Sequence, residues 1–323
     1  MDKKTELFNI LDGAADFISG SELAERLQVT RASIWKYIKA LQKEGYVIEA
    51  VTNRGYRLSS LSDVITAEGV LAALGPLREV FSLEVLSSCA STNLVLKEKA
   101  ASLPELRTVI AGSQTAGRGR LGRSFHSPEG TGLYMSVLLR PQLPAEGATL
   151  ITTAAAVAVC RAIEELGGGV PSIKWVNDVF VDGKKVCGIL TEASFDMESG
   201  AIEHAILGVG INVAEPAGGF PEELRDIAGA AFPSRERDLR CRLAAAFLRH
   251  FYAIYTALPD RSFVAEYQKR SFLAGMDVNV LRGGESTPAK VLGVDDDCGL
   301  IVRYADGREE TLTSGEVSVK PVD

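Results

Sequence analysis

Between Gly112 and Ser124 the chain runs Gly117-Arg118-Gly119-Arg120-Leu121-Gly122-Arg123, three glycines and three arginines with no acid among them. Glycine lets the backbone come close to a ligand, and guanidinium groups are planar, permanently charged donors that fit carboxylate and phosphate oxygens. The stretch is suited to wrapping an anion, although a solvated flexible loop or a nucleic-acid patch has the same composition. Other residues able to do chemistry keep it company in a fixed order. Ser91-Thr92-Asn93 and Gln114 precede it; Lys174-Trp175-Val176-Asn177-Asp178, Lys185-Val186-Cys187-Gly188-Ile189-Leu190 and Gly208-Val209-Gly210-Ile211-Asn212 follow.

A second concentration of charge lies near the N-terminus. The net charge of -7 argues against nonspecific coating of nucleic acid, yet from Arg26 to Arg57 seven basic residues face only Glu44 and Glu49. This local excess is a candidate phosphate footprint. The five cysteines are far apart and only three histidines are present, so no zinc spacing or short disulfide framework exists and buried thiols are expected. The N-terminus mixes charges without a signal-type apolar core, and the most apolar run, Ala148 to Cys160, is too short to cross a membrane. A cytoplasmic protein with no membrane partner is expected.

The elements that must position these residues follow from periodicity. Residues 3–12 pattern as a short helix, Ser19 and Glu22 as a capping box opening a second, and Thr30 as the cap of a third that buries Ile34, Ile38 and Leu41. Arg31, Ser33, Lys36, Tyr37 and Lys39 remain outside that face. Residues 47–58, with Arg54 and Gly55 in the turn, read as a hairpin, which completes a winged helix-turn-helix. The outer helix face and Arg54 are candidate DNA contacts, the alternative being a helical protein-interaction module with a solvated basic face.

Past a short Ser-rich linker, Ala67–Leu74 is expected as a helix, Ser82–Leu86 as a strand and Leu94–Ala101 as a helix capped by the residues before it. Thr108–Ala111 and Leu133–Leu139 read as strands and Leu150–Leu166 as an alanine-rich helix. Ile173–Val181 and Val186–Ala193 read as a hairpin and Ala201–Val213 as a strand. Helices Leu239–Leu258 and Phe263–Arg270 follow, and then five short strands from residue 278 onward. The fold class is therefore α+β: a winged helix over residues 1–62, a mixed sheet with helices over 63–270 and a small β-barrel over 271–323.

The ordered motifs resemble the biotin protein ligases, and with the winged helix they resemble the bifunctional form that is also the biotin operon repressor. The likeness spans nearly the whole chain and departs at Val176, Leu121 and Phe125, where proline, a basic residue and tryptophan are usual. It implies a class II synthetase-like core, an SH3-like C-terminal barrel, ATP and Mg²⁺ as cofactors, biotin as substrate and biotinyl-5'-AMP as intermediate and corepressor. Implied partners are a biotin carboxyl carrier domain, operator DNA and a second copy of the chain when the adenylate is bound. Biotin would meet Ser91, Thr92, Asn93, Gln114, Arg118, Gly119, Arg120, Lys185 and Gly188. The adenylate would meet Gly117, Arg120, Arg123, Lys174, Asn177 and Asn212.

This chemistry explains the residue types. A carboxylate is a poor acyl donor until it attacks the α-phosphate of ATP, and the anions that crowd there require concentrated positive charge. Arg118, Arg120 and Lys185 are the candidate catalytic cations, although a solvated hairpin lysine would look like Lys185. The attacking lysine of the carrier must lose a proton, which makes Asp178 the candidate base; an ordinary ion pair with Lys174 is its alternative. A protein-ligated metal is not expected. Rival readings are a ligase whose winged helix regulates nothing, and a transcription factor that senses a ligand without catalysis.

Overall fold

The computed structural model describes residues 2–196, 198–282, 285–313 and 316–319. Three N-terminal helices, α1 (Lys3–Asp12), α2 (Gly20–Leu27) and α3 (Arg31–Lys43), share one core in which Leu7, Leu23, Ile34 and Ile38 are buried. Each start is capped by a side chain: Asp2 accepts from Thr5 N–H, Ser19 from Glu22 N–H and Thr30 from Ser33 N–H. The expected capping box is half made, because the Glu22 carboxylate pairs with Arg26 one turn on. Strands β1 (Ile48–Val51) and β2 (Gly55–Leu58) pair antiparallel, Ile48 opposite Leu58, and complete the wing.

The central region is built on a seven-stranded mixed sheet. After α4 (Ala67–Leu74) come β3 (Ser82–Leu86), α5 (Thr92–Lys97), β4 (Arg107–Ala111), β5 (Gly132–Leu139), α6 (Ala148–Glu165), β6 (Ser172–Lys174), β7 (Asp178–Val181), β8 (Lys184–Phe195), β9 (Ile202–Asn212), α7 (Leu239–Thr256) and α8 (Val264–Arg270). The strand order is β3-β4-β5-β9-β8-β7-β6, with β3 and β4 parallel and the other neighbours antiparallel. Period-two alternation divides the side chains between two faces. Val137 and Leu139 join the large core that includes α6 and α7, whereas Leu138, Val109 and Ile206 pack beneath Leu96 of α5.

Two elements differ from the sequence expectation. The single strand expected over Ile173–Val181 is broken at Trp175-Val176-Asn177, so that β6 and β7 form their own hairpin with Lys174 opposite Asp178. The Trp175 indole donates to Cys298 C=O at 2.8 Å, and Asn177 binds Ile189 through both its backbone and its side chain. Ile173, Trp175, Val179 and Val181 keep the same phase on both sides of the break, which hides it. Helix α5 begins at Thr92, and Ser91 forms no side-chain cap, so the capping reading of Ser91-Thr92-Asn93 does not hold.

The C-terminal strands β10 (Asp277–Arg282), β11 (Glu285–Val294), β12 (Leu300–Tyr304), β13 (Glu309–Leu312) and β14 (Glu316–Val319) form a small antiparallel sheet domain ordered β13-β12-β11-β10-β14. Its Val278, Val291 and Leu300 continue the large core of the central region. Among the described residues, no helix is long and apolar enough to cross a membrane.

Candidate functional site

The strand register explains a hollow on the α5 side of the sheet. Asp178, Gly188, Gly210 and Tyr134 lie in one row across β7, β8, β9 and β5; Leu190, Gly208 and Ser136 form the next, followed by Glu192, Ile206 and Leu138. Glycines thus occupy adjacent places on one face. A Cβ on Gly210 would lie 2.6 Å from the Phe125 ring, and one on Gly208 would lie 2.3 Å from the Asn93 amide oxygen. The missing side chains admit that ring and that amide.

One wall is a polar chain. Gln114 Oε1 accepts from Thr92 N–H at 2.9 Å, the hydroxyls of Thr92 and Ser136 lie 2.6 Å apart, and Ser136 donates to Asn93 Oδ1 at 2.6 Å. Gln114 Nε2 donates to Ser127, and Asn93 Nδ2 donates to Glu192 at 2.8 Å. Thr92, Asn93 and Ser136 are buried, so this chain fixes donors and acceptors that water would otherwise leave mobile. Burial also pushes the Tyr134 phenol up to about 12; it remains a donor, bound to Pro128 C=O behind the site.

The opposite rim is the Gly/Arg stretch, which folds back on itself. Gly119 N–H donates to Arg123 C=O at 2.7 Å and Phe125 N–H to Gly117 C=O at 2.9 Å, leaving Leu121 exposed at the tip. Arg120 donates to Asn177 Oδ1 at 3.1 Å. Arg118 reaches Glu192 at 3.4 Å, and Lys97 meets the same carboxylate oxygen at 3.3 Å. Burial pushes the Glu192 carboxyl up, but the hydrogen bonds from Asn93 and Lys97 and the charges of Lys97 and Arg118 outweigh it and hold it below its ordinary value.

At the floor Lys185 Nζ stands 2.6 Å from Asp178 Oδ1, an ion contact outside hydrogen-bond alignment. Asp178 therefore meets Lys185, and the alternative pairing with Lys174 is not formed. Among the described residues no cluster of three or more His, Cys, Asp or Glu is placed to cage a metal.

Of the residues singled out for biotin, adenylate and catalysis, all but two line this hollow. Gly117 lies behind Phe125 and Ser127, and Asn212 ends β9 opposite Gly132. Phe125, Trp175 and Val317 also line it, and Glu192 braces its rim. Glu192 had a sequence signal: it continues the alternation Gly188, Leu190, Glu192 on the site face. Val317 arrives from the C-terminal domain and had none.

In the N-terminal region Arg31, Lys36 and Lys39 are exposed on α3. Ser33 is occupied by the cap, its hydroxyl 2.9 Å from that of Thr30, and Tyr37 packs against the core. Arg54 pairs with Asp16 at 2.9 Å and lies over the Phe17 ring. Sequence reasoning passed over Trp35, which is 55% exposed between the basic residues of α3.

A winged helix joined to a sheet whose glycine-lined hollow gathers arginines, a lysine–aspartate pair and a buried amide–hydroxyl chain defines a ligase-type core with a DNA-binding appendage. Residues 85–212 match the Biotin/lipoate A/B protein ligase family, residues 4–57 an HTH domain and residues 275–320 the Biotin protein ligase C terminal domain. The chain is 36% identical to the bifunctional ligase/repressor BirA of Bacillus subtilis, over 94% of this chain and 93% of that one. It is 32% identical to the protein of the same name from Escherichia coli, over 95% and 94% of the two chains. The structure of the biotin protein ligase from Aquifex aeolicus in complex with biotin and ATP superposes with a TM-score of 0.61 at 28% identity, covering 74% of this chain and 98% of that one. This chain belongs to the family of bifunctional biotin protein ligases and repressors.

Proposed function

We propose that this chain activates biotin with ATP to form biotinyl-5'-AMP and pyrophosphate and transfers the biotin to a lysine of the biotin carboxyl carrier domain of acetyl-CoA carboxylase. With the adenylate bound it represses the genes of biotin synthesis. The observation that carries this reading is the Lys185–Asp178 contact facing the arginine loop across the hollow.

The amide–hydroxyl chain of buried Thr92, Asn93 and Ser136 with half-buried Gln114 suits the ureido group of biotin, whose carbonyl accepts and whose N–H groups donate. Arg118 and Arg120 face the incoming carboxylate and phosphate, and Lys185 exchanges its contact with Asp178 for the reacting oxygen. That oxygen of the biotin carboxylate bonds to the α-phosphorus as pyrophosphate leaves. In the second step the carrier amine bonds to the acyl carbon, AMP leaves and Asp178 accepts the amine proton. The Gly/Arg loop closes over the anhydride and keeps water away. Mg²⁺ accompanies the phosphates of ATP and adds charge neutralisation there.

Repression follows from the basic outer face of α3. One chain carries one such helix, so a two-fold operator requires two chains, and we infer a homodimer favoured by the adenylate. The free cysteines, Cys89 half-buried and Cys160, Cys187, Cys241 and Cys298 buried, support a cytoplasmic location. We divide the chain at 62/63 and 270/271, on either side of the central sheet.

The test is the intact mass of a biotin carrier domain after incubation with this protein, biotin, ATP and Mg²⁺, with each component omitted in turn. One added biotin that requires all of them is expected. No addition, despite tight biotin binding, would leave a ligand-sensing regulator.

A further inference from the structure

Helix α3 has two faces. Ile34, Ile38 and Leu41 fill the core of the winged-helix module. On the other side Arg31, Trp35 and Lys39 recur every four residues, a spacing that stacks them along one stripe, with Lys36 beside them. Trp35 is 55% exposed and is the largest apolar side chain exposed among the described residues. Beside it on the same helix is Ala32, and across the groove between α3 and the wing is Val51, which is 42% exposed. Lys39 Nζ lies 6.0 Å from the Trp35 ring centroid.

A bare indole in water forgoes a large burial free energy, so a surface of this kind is suited to being covered. What covers it must be apolar at its centre and anionic at its edges, because Trp35, Ala32 and Val51 line the groove with Arg31 and no acid among the described residues, while Lys36 and Lys39 are exposed beside Trp35 on α3. The major groove of a duplex has that distribution, with phosphates along both margins and the C5-methyl of thymine as the apolar group on its floor. Trp35 also lies in the N-terminal half of α3, the part of a recognition helix that reaches base edges.

We propose that Trp35 reads thymine, its ring packing on a C5-methyl group in the major groove while Arg31, Lys36 and Lys39 hold the flanking phosphates. This rests on the DNA-binding reading above and assigns a base and a chemical group to it. The indole supplies sequence preference; the three cations supply affinity that does not depend on sequence.

The experiment uses the full chain with biotin, ATP and Mg²⁺. The wild-type protein selects duplexes from a random pool, and each thymine of the selected sequence is then replaced by deoxyuridine, which removes only the methyl group. Deoxyuridine at one or two positions should weaken wild-type binding about fourfold, the effect of one buried methyl. Trp35→Ala should bind more weakly, lose that penalty and keep the wild-type salt dependence. Lys36→Ala should keep the penalty while its log–log salt slope falls by about one. A Trp35→Ala variant with the wild-type penalty at every thymine overturns the proposal. So does a variant altered only in self-association by sedimentation, which would make the face a contact between copies. If the wild type retains no duplex, the DNA-binding reading itself falls.

Discussion

At the level of single residues, the site holds a close pair, Lys185 and Asp178, to which the proposed function gives different steps. In the proposed mechanism Lys185 bears on the oxygen that attacks phosphorus, whereas Asp178 bears on the amine that attacks carbon. Lys185→Met should lower the rate of biotin-dependent ATP–pyrophosphate exchange about 10²–10³-fold, as loss of one donor to developing negative charge does. Asp178→Asn should leave exchange far less changed and slow transfer from preformed adenylate about 10²-fold. Equal slowing of both steps by Asp178→Asn would reassign the aspartate to holding Lys185. The types and order of these residues were legible in the sequence; their pairing was not. Asp178 stands opposite Lys174 in the β6–β7 hairpin and yet contacts Lys185, because the turn at Asp182-Gly183 lays β8 along the other edge of β7.

Among the elements, β8 and β9 shape the hollow by leaving out side chains, and the strands themselves were readable from alternation. What the alternation did not reveal is that Gly188, Gly208 and Gly210 become neighbours on one face, since strand pairing is a nonlocal fact. Gly210→Ala should displace the Phe125 ring and raise KM for biotin on the order of tenfold, with a smaller change for ATP, because a displacement of about 1 Å is costly at a site that orients its substrate. An unchanged KM for biotin would place Phe125 outside the biotin wall. Helices show a different coupling. Arg270 of α8 donates twice to Glu164 of α6 at 2.8 Å and once to Glu266 at 2.9 Å. The Arg270 hydrogen bonds hold Glu164 below the ordinary 4.5; burial pushes Glu266 up, but Arg161 and Arg270 outweigh it and hold it below too. Such carboxyls bind fewer protons folded than unfolded, so their stabilisation is present above pH 4.5 and is lost as pH falls through the folded values. Arg270→Leu should cost about 1–2 kcal/mol in urea unfolding at pH 7, allowing for the partial exposure of Glu164, and the gap to wild type should narrow below pH 4.5. A gap that is constant from neutral to acid pH would rule out this linkage.

For the whole molecule, the proposed function requires adenylate in the central hollow to govern DNA binding by the winged helix. Composition made residues 59–63 look like a plain linker, yet Ser59 and Ser62 are buried there. Ser59 N–H donates to Val47 C=O, Val47 N–H to the Ser62 hydroxyl and Asp238 N–H to Ser62 C=O. Asp63 is clamped by Arg240 at the start of α7, accepting from its backbone N–H at 2.9 Å and from its Nε at 3.1 Å, while Arg237 reaches across to Asp12. The module is thus fixed to α7, which packs on α6 under the sheet. Removing one partner of a buried ion pair typically costs about 3–5 kcal/mol, and Asp63→Ala should lose an amount near the lower end in urea unfolding. Asp63 does not line the hollow, so adenylate formation at 25 °C should stay near wild type. A two-fold operator requires both recognition helices at a fixed separation, whereas a single half-site does not constrain orientation. Asp63→Ala should therefore bind an isolated half-site duplex as the wild type does and bind the complete operator about tenfold more weakly, since avidity depends on geometry that lets both modules engage at once. Equal losses on the two duplexes would place the defect in the folding of the module instead of in its orientation.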